Sequence, residues 1–106
     1  MGFFKNVHKV VSYIPEGRVM SYGDIAEVIG ASGKARFVGF AMKFCPGAYP
    51  WHRVVKVTGH LTVGDMQALL LRKEGVAMDE MGCVDMDKHK VYPAEMHLIL
   101  KEHGEI

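Results

Sequence analysis

The chain has 106 residues, 49% hydrophobic and 24% charged, which suits one globular domain with one modest core. Its formal net charge of +1 is too small to announce a nucleic-acid partner by itself. No apolar run reaches the roughly 18 residues of a membrane span, the Met1-Gly2-Phe3-Phe4-Lys5 start has no secretory character, and Asn6 stands where a myristoylation signal needs Ser or Thr.

Phe3, Val7, Val10, Val11 and Ile14 recur at helical spacing, which predicts an amphipathic helix over 3–13. Pro15-Glu16-Gly17 ends it in a turn. Ser21 and Asp24, three apart, read as a capping pair. Tyr22, Ile25, Ala26 and Ile29 then give a short helix stopped by Gly30. After a tight Ala31-Ser32-Gly33 link, a third helix is predicted over 34–44, with Val38, Ala41 and Met42 inward. Two short helices joined by a small turn, the second basic at its start, suit a helix-turn-helix. Cys45 to Pro50 reads as a loop bracketed by Pro46 and Pro50. The β-branched stretch from Arg53 to Val57 reads as a strand. Thr58-Gly59-His60 turns it toward Leu61-Thr62-Val63, a small hairpin or wing. A helix follows over 65–74, with Met66, Leu69 and Leu70 on one face and Gly75 at its end. Short strands are expected between Val84 and Val91, and a last helix over 94–103. Repeats and linkers are lacking, so residues 1–106 read as one domain.

Charge is distributed more tellingly than its total. Between Glu27 and Asp65 no acidic residue occurs, while Lys34, Arg36, Lys43, Arg53 and Lys56 do. From Asp65 onward the chain carries nine acids against five Lys or Arg. One basic and one acidic sector is the footprint of a protein that meets phosphate on one face, or else of chance clustering on a solvated loop. The two cysteines, Cys45 and Cys83, make no disulfide framework, so a reducing compartment is expected. No C-x-x-C or H-x-x-x-H spacing occurs, so neither a metal nor another cofactor is expected.

Four segments, in order, carry a resemblance. Ile14-Pro15-Glu16-Gly17-Arg18-Val19-Met20-Ser21-Tyr22-Gly23-Asp24-Ile25-Ala26 leads into the helix-turn-helix. Ala35-Arg36-Phe37-Val38-Gly39-Phe40-Ala41-Met42 forms its second helix. Pro50-Trp51-His52-Arg53-Val54-Val55 follows, and then Leu69-Leu70-Leu71-Arg72-Lys73-Glu74-Gly75-Val76. Together they resemble the DNA-binding domain of the O⁶-alkylguanine-DNA alkyltransferases, over residues 3 to about 93. That family's signature is Pro-Cys-His-Arg-Val, and Trp51 stands here in place of its nucleophilic cysteine. An indole has no ionisable sulfur. The same replacement marks the alkyltransferase-like proteins, which bind alkylated DNA without repairing it.

The resemblance implies roles residue by residue. Arg36 matches an arginine that enters the duplex and fills the space of the flipped nucleotide; a phosphate contact or a surface salt bridge are the plainer readings. Ala35 and Gly39 match small residues that let the helix backbone approach a minor groove; close helix packing would also select them. Tyr22 matches a tyrosine that rotates the target phosphate and helps flip the base; it also reads as a half-buried core residue. Lys34, Lys43 and Arg53 complete the DNA-binding set, with Arg53 either meeting phosphate or pinning the Trp51 loop. The lesion pocket is expected from Tyr22, Trp51, His52, Val55 and Glu74, with Trp51 packing on the alkylated purine or filling the core. His52 and Glu74 match the pair that activates the family's thiol and here have none to activate. The family's asparagine is replaced by Cys45, which makes a poor hydrogen-bonding hinge. The segment from Gly59 to Asp65 is shorter than the family's lid, which implies a wider, wetter pocket.

These observations give a mainly α domain with a small β-wing, a winged-helix-like helix-turn-helix. The expected function is non-enzymatic: a monomer that binds double-stranded DNA with alkylated guanine, flips the base, and signals to nucleotide excision repair proteins. It would work in the cytoplasm, at the nucleoid of a prokaryote or in the nucleus of a eukaryote. A diverged transferase using another cysteine, such as Cys45, and a sequence-reading regulator are the alternatives. Residues 94–106 lie beyond the resemblance.

Overall fold

Val7, Val10 and Val11 lie on one side of helix α1 (Phe3–Ser12) and are sealed from solvent, as their spacing predicts. The computed structural model describes residues 2–106. Strand β1 (Met20–Ser21) runs straight into α2 (Tyr22–Val28). The Ser21 hydroxyl caps α2 by accepting the Asp24 N–H at 3.1 Å. The Asp24 carboxylate meets Lys90 Nζ at 3.0 Å. Helix α3 (Ala35–Met42) completes the helix-turn-helix, with Val38 and Ala41 buried. Strand β2 (Val54–Val55), α4 (Asp65–Lys73), α5 (Met86–His89) and α6 (Pro93–Glu102) follow.

The main core lies among α1, α2, α3 and α6, where Val10, Ile14, Ile25, Val38 and Met96 are buried together. Each such side chain contributes about 1.5–3 kcal/mol by leaving water. Val19, Val55, Leu71, Val76 and Val84 form a second, smaller cluster. The segment past residue 93 is part of the core: Met96 and Leu100 are buried, and α6 packs on α2.

Three local expectations need correction. The strand at Val54–Val55 is where the sequence puts it, but it pairs in parallel with β1, Met20 beside Val54 and Ser21 beside Val55. The hairpin toward Leu61–Val63 closes only at its turn, where Lys56 N–H donates to His60 C=O at 3.0 Å. Val54 and Val55 are both buried, between the two clusters, so they need an internal partner rather than an exposed ribbon. On α4 the inward face carries Gln67 and Leu71, while Met66 and Leu69 are exposed. Between Val84 and Val91 the chain forms α5, capped at Asp85, flanked by single bridges from Val84 to Met78 and from Lys90 to Val19.

Two polar side chains lock the later segments to the first turn. Arg18 donates to both carboxylate oxygens of Glu95 at 2.9 Å and to the carbonyls of His89 and Lys90. Buried His89 accepts the Ala77 N–H at Nε2 and lies 3.0 Å from the Gly17 carbonyl through Nδ1, which fixes the neutral tautomer with the proton on Nδ1. Gly59 has φ +90°, and a Cβ there would collide with the Val84 carbonyl, so only glycine fits the close approach of these segments. Among the described residues no helix is long and apolar enough to cross a membrane.

Candidate nucleic-acid interface

Trp51-His52-Arg53 forms a single 3₁₀ turn after Pro50 and leads directly into β2. Because β2 is held in the sheet, the turn is held too. Both polar side chains reach back to Glu74, the residue that ends α4. His52 Nε2–H donates to Glu74 Oε2 at 2.7 Å; Arg53 donates from Nε to Oε1 at 3.0 Å and from Nη2 to Oε2 at 2.7 Å. Arg53 Nη1 donates to the Ile14 carbonyl at 2.7 Å, and Gly17 N–H donates to Glu74 Oε1 at 3.0 Å. Gly17 adopts φ +79°, and a Cβ would sit 3.3 Å from the Glu74 carbonyl. Burial pushes the Glu74 carboxyl up, but the hydrogen bonds from Arg53, Gly17 and His52 and the charge of Arg53 outweigh it and bring the pKa to about 2. The carboxylate is therefore ionised and saturated.

Gln67 staples a second pair of segments. Its side-chain oxygen accepts the N–H groups of Thr62 and Val63 at 2.9 and 3.1 Å, and its nitrogen donates to the carbonyls of His52 and Val54 at 3.0 and 2.8 Å. These four bonds repay the burial of a polar amide. They also join the loop over 61–64 to the turn that carries Trp51.

Between those segments and the end of α3 lies a cavity of about 300 Å³. Tyr22 and Trp51 form two of its walls, Met42, Cys45 and Gly47 a third, and Thr62 and Val63 the last. The Tyr22 hydroxyl donates to Thr62 Oγ1 at 3.1 Å. The Trp51 indole stands edge-on to the His52 ring, at 87° and 6.0 Å between centroids. The Pro46–Pro50 loop is tied by backbone groups: Tyr49 N–H to Pro46 C=O at 3.0 Å and Trp51 N–H to Tyr49 C=O at 2.8 Å. Burial raises the Cys45 thiol, which leaves it protonated and a weak nucleophile. The short lid thus reaches the cavity and is pinned there, rather than leaving it unbounded.

Helix α3 divides its residues by flank, as 3.6 residues per turn requires. Val38 and Ala41 face the core, and Ala35 and Met42 share the flank of the cavity. Arg36, Gly39 and Lys43 lie on the outer side. Lys34, Arg36 and Lys43 are exposed. A Cβ built on Gly39 meets nothing within 4 Å, so no protein packing selects glycine there.

This geometry bears on four of the expected site residues. Of the two readings of Arg53, the geometry fits the loop pin and not the phosphate contact: its guanidinium points inward and every one of its nitrogens has a partner on Glu74 or Ile14. Val55 was grouped with the pocket, but it is fully buried in the smaller core cluster, because the pleat of β2 turns it away from the cavity. His52 and Glu74 lie behind Trp51 and outside the cavity wall. Met42, Thr62, Val63 and Gln67 were missed. Only Gln67 left a signal, as a polar residue four before Leu71 on an otherwise apolar face.

The family described as 6-O-methylguanine DNA methyltransferase, DNA binding domain, matches residues 2–76, the stretch from α1 through the Glu74 clamp. This chain belongs to that family. A DNA base-flipping protein of Vibrio parahaemolyticus is 34% identical over 97 residues, covering 86% of this chain and 97% of that one. Alkyltransferase-like protein 1 of Schizosaccharomyces pombe is 41% identical over 68 residues, 62% of this chain and 63% of its own. The crystal structure of S. pombe Atl1 with damaged DNA containing O6-carboxymethylguanine matches at TM-score 0.74 and 32% identity, over 86% of this chain and 95% of that one. In this alkyltransferase-family domain, the mainly helical fold with a two-stranded sheet is the expected one, and α5 and α6 lie beyond the matched residues.

Proposed function

We propose that this chain binds duplex DNA containing an O⁶-alkylated guanine, turns the damaged nucleotide out of the stack into the Trp51 cavity, and holds it there without removing the alkyl group. The observation that carries this reading is Trp51 itself. It stands beside a His52–Glu74 pair of 2.7 Å, in a cavity walled by Tyr22, and the likeness of Pro50-Trp51-His52-Arg53-Val54 to the signature Pro-Cys-His-Arg-Val supports reading it as the replacement of the family's cysteine. Cys45 is the cavity's only thiol, and burial raises its pKa, which works against transfer.

The steps follow from the side chains. Lys34 and Lys43 meet backbone phosphate. Ala35 and Gly39 let α3 come close to the groove. Tyr22, at the cavity wall, leaves Thr62 and displaces the target phosphate. Arg36 stacks into the gap that the extruded base leaves, a task a planar guanidinium suits. The purine then packs against the Trp51 face, where contact replaces water without chemistry. His52, Arg53 and Glu74 hold the cavity wall. The DNA, bent and marked, is handed to nucleotide excision repair in the compartment that holds the genome.

Incubation with a duplex carrying alkylguanine labelled in the alkyl group tests this reading. Tight, lesion-selective binding with the label left on the DNA is expected. Label on the protein would make it a transferase acting through Cys45. Binding that ignores the lesion and follows sequence would make it a regulator.

A further inference from the structure

A second and larger cavity, about 720 Å³, lies between α1 and α3, on the flank of α3 away from Trp51. Phe3, Phe4, Phe37 and Phe40 line it, together with Lys34 and Arg36. Phe37, Phe40 and Phe44 are 54%, 50% and 59% exposed. Phe4 stands edge-on to Phe40 at 5.6 Å and stacks on Phe44 at 5.5 Å. Lys34 Nζ lies 5.3 Å from the Phe37 ring centre, and Lys43 Nζ lies 5.7 Å from that of Phe40. An exposed aromatic cluster of this kind marks a binding surface more often than a solvated one.

The charge around the groove selects its occupant. Residues 2–15 and 31–44, which build it, contain Lys5, Lys34, Arg36 and Lys43 and no acidic residue; Lys9 is paired with Glu105. Aromatic faces beside unpaired cations are the features that hold unstacked nucleic acid, base on ring and phosphate on cation. Two of the lining residues, Lys34 and Arg36, also belong to the surface read above as the DNA contact. A protein segment in the groove would compete with DNA for those cations, whereas the DNA strand itself would not. Apolar wedges beside a minor groove commonly unstack a neighbouring step in this way.

We propose that this groove is a second nucleobase site: a base displaced from the strand that bends around α3 stacks against Phe37, with its phosphate on Lys34. The proposal rests on the reading that α3 meets DNA, but it does not require the lesion.

Phe37 is half exposed and, among the described residues, makes no ring–ring contact with another aromatic side chain, so its substitution leaves the fold intact, which a thermal melt checks. The probes are an alkylguanine duplex and an unmodified single-stranded oligonucleotide, each carrying 2-aminopurine at successive positions. Wild-type protein should quench one 2-aminopurine outside the lesion position. Phe37→Leu should abolish that quenching and weaken binding to both probes by about fivefold to a hundredfold, the range for loss of one stacked base. Phe37→Trp should restore both. Wild-type affinity and quenching in Phe37→Leu would overturn the proposal and leave the groove to a protein partner; Phe37→Leu binding as well as Phe37→Trp would overturn it too. Failure of the wild-type protein to prefer the alkylguanine duplex would sink the lesion reading alone, since the single-stranded probe reads the groove without it.

Discussion

Arg53 and Glu74 meet as a two-pronged ion pair, Nε to Oε1 at 3.0 Å and Nη2 to Oε2 at 2.7 Å, with side chains only 16% and 13% exposed. Through it the end of α4, the Trp51 turn and the Ile14–Gly17 turn share one buried carboxylate. Breaking such a pair leaves an uncompensated charge, which costs more than the pair contributes when intact.

Glu74→Gln is therefore expected to destabilise the fold by about 2–3 kcal/mol at neutral pH. The Glu74 carboxyl has a pKa of about 2 in the fold against an ordinary 4.5. A depressed carboxyl contributes its stability above the ordinary value and loses it as pH falls toward the folded one. Urea unfolding at stepped pH should show the gap between wild type and variant closing as pH drops through that window. A gap that stays constant would mean the carboxylate charge contributes nothing.

Arg36→Ala should weaken binding to a paired lesion by about 1–3 kcal/mol, and Tyr22→Ala should weaken it as well. If flipping is the reason, both losses shrink on a substrate whose alkylguanine is already unpaired, because less unstacking is then needed. Equal losses on the two substrates would reduce both residues to ordinary contacts. The salt dependence follows from the cations left exposed. With Arg53 committed to Glu74, those of the acid-free window between Glu27 and Asp65 are Lys34, Arg36, Lys43 and Lys56. At about −0.9 per phosphate, log K against log salt should have a slope of roughly −2.5 to −3.5.

Gly39 separates stability from binding. Since a Cβ there meets nothing within 4 Å, Gly39→Ala should raise stability, by about 0.5–1 kcal/mol through helix propensity. Gly39→Leu should also fold, yet bind DNA much less tightly, because its side chain stands between the helix and the groove. Gel-shift titration beside thermal melts measures both. Unchanged affinity in Gly39→Leu would move the DNA off this face.

Trp51 is the single tryptophan, so all indole emission comes from the cavity wall. Adding alkylguanine duplex should change that emission more than adding the undamaged duplex. Identical responses would place the damaged base elsewhere.

Helices were legible where apolar spacing set them: α1 from its valines, α2 from Ser21 and the Ile25 stripe, α3 from Val38 and Ala41. The sequence could not show which strand Val54–Val55 would choose, since parallel pairing with Met20–Ser21 joins residues more than thirty apart and leaves no local trace. Arg53 and Arg36 look alike in a list of basic residues. Only the fold reveals that Glu74 neutralises one and leaves the other in water. The pattern of α4 misled because hydrophobicity alone turns Met66, Leu69 and Leu70 inward, whereas the buried face holds the polar Gln67 with Leu71. Phe37, Phe40 and Phe44 carry no local mark that separates an exposed aromatic row from a buried one; the packing of α1 on α3 shows them half exposed.

The Trp51 cavity has one fixed jaw, held by Gln67, and one adjustable jaw. The lid and the Trp51 turn are already joined before any ligand arrives, so encounter does not carry the cost of freezing a loop, about 1–2 kcal/mol for each residue fixed. The opposite wall ends in Met42, whose unbranched thioether can change shape with little strain. Adducts of different length would then be gauged against a rigid indole by movement of a single methionine, as a caliper measures with one arm still.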